Sequence, residues 1–230
     1  MTCSAIHIWG DSVARCVVYN EQRKRYAMSP IRYTSALEEK LRIPVENHAL
    51  MGMTSVEGLA AFLKSEPAHN SICAIEFGGN DCDLDWSYVA ENPEKEIIAK
   101  VPLVQYKEAL NSFVQAARSR DMHPILVTPV PLHGSRYFHW VTQSLDKNAV
   151  LRALHGDPNS IYRWQERYAL AVRDVAEATG CPLLDMRDLF LAQIDFESYM
   201  CIDGIHPNEL GHKLISDSIS DFAAKKLACA

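Results

Sequence analysis

The chain has 230 residues, 48% of them hydrophobic, and a formal net charge of −6. That length and content support one α/β domain over residues 1–230, with a core large enough to need no disulfide staples. The acidic balance excludes the basic face of a nucleic-acid binder, and no apolar run is long enough to be inserted across a bilayer. The first residues lack the basic and apolar regions of a secretory signal. The seven cysteines are odd in number and form no C-x-x-C pair, which fits reduced thiols and a cytoplasmic location. Oligomeric state is not legible.

Taken in chain order, the first strand is expected at Ala5–Trp9, with His7 inside it as a core or sheet residue. The basic cluster Arg23-Lys24-Arg25 reads as a solvated helix surface. A second strand is expected at Val45–Leu50. A helix follows, opened by the capping-box spacing of Thr54 and Glu57, with Val56, Leu59, Ala60 and Leu63 on its apolar stripe. A third strand is expected at Ile72–Phe77. The next helix carries Leu103, Tyr106, Leu110, Phe113, Val114 and Ala117 on one face, and a fourth strand is expected at Ile125–Val130. Residues 131–158 break the rhythm and form an excursion. A helix with Ile161, Trp164, Tyr168, Val172 and Val175 ends at Gly180, before a fifth strand at Pro182–Met186. The last helix carries Leu210, Leu214, Ile215, Phe222 and Leu227. Short apolar runs alternating with helical periods predict a parallel sheet covered on both faces. The excursion should then lie over the carboxyl ends of the strands, the edge where such sheets bind ligands.

Three motifs fall at that edge. Gly10-Asp11-Ser12 follows the first strand, where a turn would project the Ser12 hydroxyl and a helix beginning there would aim N–H groups at a nearby negative charge. Gly78-Gly79-Asn80-Asp81 follows the third strand, and Asn80 offers an amide as donor to an oxyanion. Asp203-Gly204-Ile205-His206 precedes the last helix. His206 is a candidate base for a hydroxyl nucleophile, and Asp203, three residues earlier, is spaced to reach its Nδ1. Each motif alone is also an ordinary feature: an N-cap, a Gly-Asn turn, a turn before a helix. Together they supply different parts of an acyl-transfer site.

These blocks, with Gly52 after the second strand, resemble the SGNH hydrolase family, also called GDSL-type esterases. The resemblance implies a flavodoxin-like three-layer α/β/α fold with a five-stranded parallel sheet. It implies a catalytic triad of Ser12, Asp203 and His206, and an oxyanion hole formed by the Ser12 N–H, the Gly52 N–H and Asn80. Val13 and Ala14 stand where the family often has Leu and Ser.

Other chemistries lack their signatures. There is no H-E-x-x-H, no phosphate-binding glycine loop, and His206 and His212 are not spaced for one helix face. No metal or organic cofactor is expected. Cys82 has no base placed for it and reads as a passive thiol. The expected activity is hydrolysis of a small ester through an acyl-enzyme, with short acyl groups such as acetyl on a polar alcohol such as a sugar. Trp86, Tyr137 and Trp140 are the candidate substrate-binding residues, because aromatic faces cover the C–H side of a sugar ring. A lipid-type esterase or lysophospholipase, an acyltransferase, and a non-catalytic carbohydrate-binding protein are the alternatives on the same fold.

Overall fold

The computed structural model describes residues 3–228 except residue 67, with side chains described as far as residue 223. The sheet is parallel and contains β1 (Ile6–Gly10), β4 (Val45–Asn47), β5 (Ser71–Glu76), β6 (Met122–Val127) and β7 (Leu183–Leu184), in the order β4-β1-β5-β6-β7. Renumbered within the sheet, that order is 2-1-3-4-5. The topological switch therefore lies between β1 and β5, where a crevice opens at the carboxyl ends of the strands.

Helices cover both faces. On one side α2 (Ser55–Lys64), α4 (Leu103–Ser119) and α7 (Ser160–Thr179) bury Phe62, Tyr106, Phe113, Tyr168 and Val172 against Ile75 and Phe77 of and beyond β5. On the other, α1 (Tyr33–Leu41), α8 (Met186–Leu191) and α9 (Glu209–Ala228) bury Leu37, Phe190 and Ile215 against Ile6 and Ile8. The excursion over 131–158 is made of α5 (Gly134–Val141) and α6 (Lys147–Ala153), which build a third apolar cluster around Leu132, Phe138, Val150 and Ile161. α3 (Trp86–Glu91) lies beside it. Among the described residues, no helix is long and apolar enough to cross a membrane.

Several expected elements are changed. Arg23-Lys24-Arg25 is not a helix surface. It lies at the turn and second-strand start of an antiparallel hairpin, β2 (Val17–Asn20) and β3 (Arg25–Met28), with Lys24 at φ 48°. Tyr19 and Tyr26 pair across that hairpin with rings 5.3 Å apart, and such a cross-strand aromatic pair favours it over a helix. The second expected strand stops at Asn47, because the Asn47 side chain accepts from Ala49 N–H at 2.9 Å and turns the chain. β6 begins at Met122, earlier than expected, and ends at Val127. β7 ends at Leu184 because Asp185 caps α8, accepting from Asp188 N–H. In α9, Leu214 and Ile215 face the core while Leu210 is exposed, and the side chain of Leu227 lies outside the described residues.

The α2 capping box is present, with Thr54 accepting from Glu57 N–H and Glu57 accepting from Thr54 N–H. Of the expected stripe, Val56 and Leu59 pack partly buried on the core and Ala60 and Leu63 are exposed; the fully buried line is Ser55, Gly58 and Phe62. That line follows from Phe77. A Cβ on Gly58 would lie 2.2 Å from the Phe77 ring, so the helix turns its one side-chain-free position toward that ring. Alanine is the better helix former by roughly 1 kcal/mol, yet Gly58→Ala should destabilise the protein by about 1–3 kcal/mol through overpacking. Urea unfolding measures this, and an unchanged or raised midpoint would show that Phe77 yields freely.

Candidate active site

The three motifs meet at the switch point. β1 ends at Gly10, where a Cβ would lie 2.6 Å from both the Glu76 carbonyl and Ala14 Cβ. Only glycine allows β1 to run this close to β5 as the chain turns. Asp11 then folds the backbone, its Oδ1 accepting from Val13 N–H at 2.9 Å. Ser12 sits on this turn, nearly buried, and its Oγ lies 2.8 Å from His206 Nε2. Contrary to expectation, the chain does not continue as a helix from Ser12. It makes a tight turn to Cys16, at φ 61°, and enters β2. The hydroxyl is thus presented by a turn, without a helix N-terminus behind it.

On the far side of His206, Nδ1 is 2.6 Å from Asp203 Oδ2. The other oxygen of Asp203 accepts from the N–H groups of Ile205 and His206, both at 3.1 Å. Burial by itself pushes the Asp203 carboxyl up. The hydrogen bond and charge of His206, with the two backbone donors, outweigh burial and hold it below the usual carboxylate value. Asp203 is therefore a buried carboxylate with each oxygen engaged. Ser12, His206 and Asp203 form one hydrogen-bonded line that can carry the hydroxyl proton to an imidazole whose resulting charge is balanced.

Gly78 has φ 132°, and a Cβ there would lie 2.8 Å from the Tyr106 hydroxyl. Asn80 is brought beside Asp11, its Nδ2 donating to Asp11 Oδ2 at 3.1 Å and to Met53 O at 3.2 Å. To donate to a substrate oxygen, the amide must exchange one of these, and the Met53 bond is the longer. Gly52 has φ 83° and is exposed, on a loop joined to β1 by a bond from Leu50 N–H to Gly10 O at 3.1 Å. The N–H groups of Ser12 and Gly52 make no hydrogen bond among the described residues. Asp81 closes the corner. It accepts from the N–H and hydroxyl of Ser55, the hydroxyl at 2.5 Å, and burial raises its carboxyl to about 6 against those bonds.

A cavity of about 710 Å³ opens beside Ser12 and His206. Trp86 and Tyr137 line it, as do Trp164 and Ile161, with Arg152 and Arg167 among its polar residues. Tyr137 is largely buried, and its hydroxyl donates to Asp83 at 2.6 Å while Trp86 Nε1 donates to the same oxygen at 2.9 Å. Trp140 is not part of this lining. It packs edge-on against Tyr19 at 4.8 Å and lies 6.5 Å from Tyr26. Cys82 is buried, and burial pushes its thiol well above the ordinary value, as suits a passive group. His212 is buried against Val17 O, and burial lowers it to about 4.

Two contributors are absent from any motif. Tyr26, on β3, sets its ring 5.0 Å from that of His206 and its hydroxyl toward Asp203. Arg187 is fully buried, paired with Glu166 at 2.6 Å, and donates to Gln165 at 3.0 Å. Gln165 in turn bonds Val130 O and Leu132 N–H, fixing the chain where the excursion leaves β6. Tyr19 and Tyr26 flanking Arg23-Lys24-Arg25 were the available signal for the first. A lone arginine in a helical segment gave none for the second.

Fold and motifs together define a hydrolase-type α/β sandwich with a serine at its switch point. The chain belongs to the GDSL-like lipase/acylhydrolase family, whose model matches residues 8–214. It is 32% identical over 157 residues to the human protein named isoamyl acetate-hydrolyzing esterase 1 homolog, a match covering 67% of this chain. The matched region spans 56% of that relative's length, and 56% of its mouse counterpart. Among solved structures, a lipase/acylhydrolase from Enterococcus faecalis superposes with a TM-score of 0.67, at 17% identity and 96% coverage of both chains. An acetylxylan esterase from Geobacillus stearothermophilus gives 0.65 at 20% identity, covering 94% of this chain and 92% of that one. At those identities the structures speak for the fold alone.

Beneath Ser12 lies a second carboxyl pair. Glu76, the last residue of β5, is buried and faces Asp11. Burial raises both groups. The charge of Asp11 adds to the effect on Glu76, while Asp11 is partly compensated by Val13 N–H, His206 and Asn80. The proton therefore belongs to Glu76, whose Oε2 also has no hydrogen-bond partner among the described residues, a position better suited to an acid than to a carboxylate. Because the folded state raises this pKa, the associated stability is complete below the unfolded value. It is lost as pH rises through the folded one. Glu76→Gln, neutral throughout, should gain stability relative to wild type as pH rises from the ordinary carboxylate range to alkaline values. Urea midpoints at both ends measure this, and a constant difference would assign the proton elsewhere.

Proposed function

We propose that the protein is a serine ester hydrolase in which Ser12 is the nucleophile, His206 the general base and Asp203 its orienting carboxylate. The observation that carries this reading is the buried line from Ser12 Oγ through both nitrogens of His206 to Asp203, 2.8 and 2.6 Å. In the first step His206 takes the hydroxyl proton as Ser12 attacks the ester carbonyl. The tetrahedral oxyanion is met by the Ser12 N–H, the Gly52 N–H and Asn80. His206 then protonates the leaving alcohol, and a water molecule repeats the sequence on the acyl-enzyme. The two free N–H groups and the proximity of Asn80 to Asp11 support the oxyanion assignment.

The proposed substrate is a short-chain acyl ester, acetyl above all, of a polar alcohol such as a sugar. The human sequence relative is named for the hydrolysis of isoamyl acetate, an acetate ester. The cavity adds aromatic faces from Trp86 and Trp164 beside the Arg152 and Arg167 guanidinium groups, a mixture suited to a hydroxylated alcohol. One observation favours a second reading, an apolar alcohol: the polar ends of Trp86 and Tyr137 are already engaged by Asp83, which leaves ring carbon facing the cavity.

Ser12→Ala should retain the fold and lower kcat on p-nitrophenyl acetate by on the order of 10³-fold or more, and a fluorophosphonate should label wild type alone. Labelling at another serine would overturn the assignment. Across wild type, kcat/KM should fall from acetate to octanoate to palmitate. Acetylated xylosides compared with isoamyl acetate then decide between the two alcohols.

Asn80→Ala should lower kcat by roughly 10²–10³-fold with little change in KM, since the oxygen it meets becomes negative only in the transition state. Steady-state kinetics on the acetate ester read this out. A raised KM at constant kcat would instead make Asn80 a ground-state binding group.

A further inference from the structure

Away from Ser12, β1 carries a second group of chemistry-bearing side chains. His7 lies three residues before Gly10, about 10 Å along the strand. The parallel register sets it opposite Glu46 on β4, and the chain just past β4 brings in His48, whose N–H continues the ladder to Ile8 O at 2.8 Å. His7 Nδ1 is 3.1 Å from His48 Nε2, and Glu46 Oε2 is 3.6 Å from the first nitrogen and 3.7 Å from the second.

Read as hydrogen bonds, this triangle is incomplete. One proton can lie between the two imidazoles, whose rings are within 9° of parallel, but the carboxylate oxygen stands too far from either nitrogen to bond. Read as ligands, its sides fit one ion. Two donor atoms bound tetrahedrally at zinc-ligand lengths are separated by about 3.3 Å. Two imidazoles and one carboxylate are also a donor set that a borderline divalent cation prefers over calcium or magnesium. His7 is held within the strand with its side chain 10% exposed, while the His48 side chain is 30% exposed and free to tilt its lone pair toward a shared centre. The Trp9 ring, stacked on His48 at 4.3 Å, supports it from behind.

We propose that His7, Glu46 and His48 bind a divalent cation of the zinc type, with water in the fourth position. The ion would take the place of the proton between the imidazoles and join β1 to β4. β4 has only three residues, and it leads into the loop that carries Gly52. The site is separate from Ser12 and independent of the ester chemistry proposed above.

The test is calorimetric titration of chelator-stripped protein with zinc chloride, on wild type, His48→Gln and Glu46→Gln. Both substituted positions are partly or fully exposed, and circular dichroism checks that both variants fold. Wild type should bind one ion per chain with a Kd tighter than about 10 μM. Each variant should bind at least tenfold more weakly, since even loss of an outer partner of a metal ligand costs about 10–100-fold. Cobalt(II) should give the visible absorption of a four-coordinate ion in wild type and quench Trp9 emission, with Trp9→Phe removing that quenching. Wild-type binding weaker than about 10 μM would mean a proton-bridged histidine pair with adventitious affinity only, and overturns the proposal. Equal binding by His48→Gln overturns it as well, by placing the ion elsewhere.

Discussion

The 2.8 Å contact between Ser12 and His206 joins residues 194 positions apart. Neither partner sits within a strand or a helix. Ser12 is on the turn after β1 and His206 on the turn before α9, so the regular elements fix only where the two turns begin. The length of this contact depends on what holds the turns themselves. Gly10 lets the first turn press against β5, and Asp203 folds the second around its own carboxylate. Burial makes both arrangements stiff, because each polar atom would lose its partner if the loop moved.

The same device recurs along the carboxyl edge of the sheet. Asp81 ties the turn after β5 to the first residue of α2 through Ser55. His133 donates its N–H to Gly204 O at 2.7 Å, so the start of α5 is docked on the turn that carries Asp203. Arg187 and Gln165 hold the segment between Val130 and Leu132. Each of these is a polar contact that ties a connection at this edge to a neighbouring segment. The loops at this edge behave as a single bonded layer laid across the strand ends, and the cavity is the gap that layer leaves above Ser12.

Much of this layer's content was legible in the sequence, and its geometry was not. The apolar runs located five strands, with β6 shifted along the chain and the two outer strands shorter than expected. The α4 and α7 stripes were legible because long amphipathic helices repeat their signal over several turns. Half of the expected α2 stripe, Val56 and Leu59, packs on the core, but its most buried line was missed, because Gly58 carries no side chain and so contributes nothing to a hydrophobic pattern even while it marks the closest contact. The hairpin at Val17–Met28 escaped because its strands have four residues each and its charged turn resembles a helix surface. With it went Tyr26, whose place beside His206 depends on cross-strand pairing. Trp86 and Tyr137 were found as cavity residues, but the carboxylate that engages their polar ends, Asp83, could be recognised only once α3 and α5 were seen side by side. His7 and Glu46 are 39 residues apart in the chain and become neighbours only through the β1–β4 register.

The outer strands of the sheet are its shortest. β4 has three residues and β7 has two, against five or six in each strand between them. An exposed strand edge is a template on which another chain can add a strand of its own, and proteins that keep long edges bare are prone to self-association. Here the chain abandons extended conformation almost as soon as it reaches either margin, at Asn47 by a side-chain turn and at Asp185 by a helix cap. The residues that shorten these strands therefore shape the sheet's margins as well as its loops, leaving little bare edge on which a strand of another molecule could be laid.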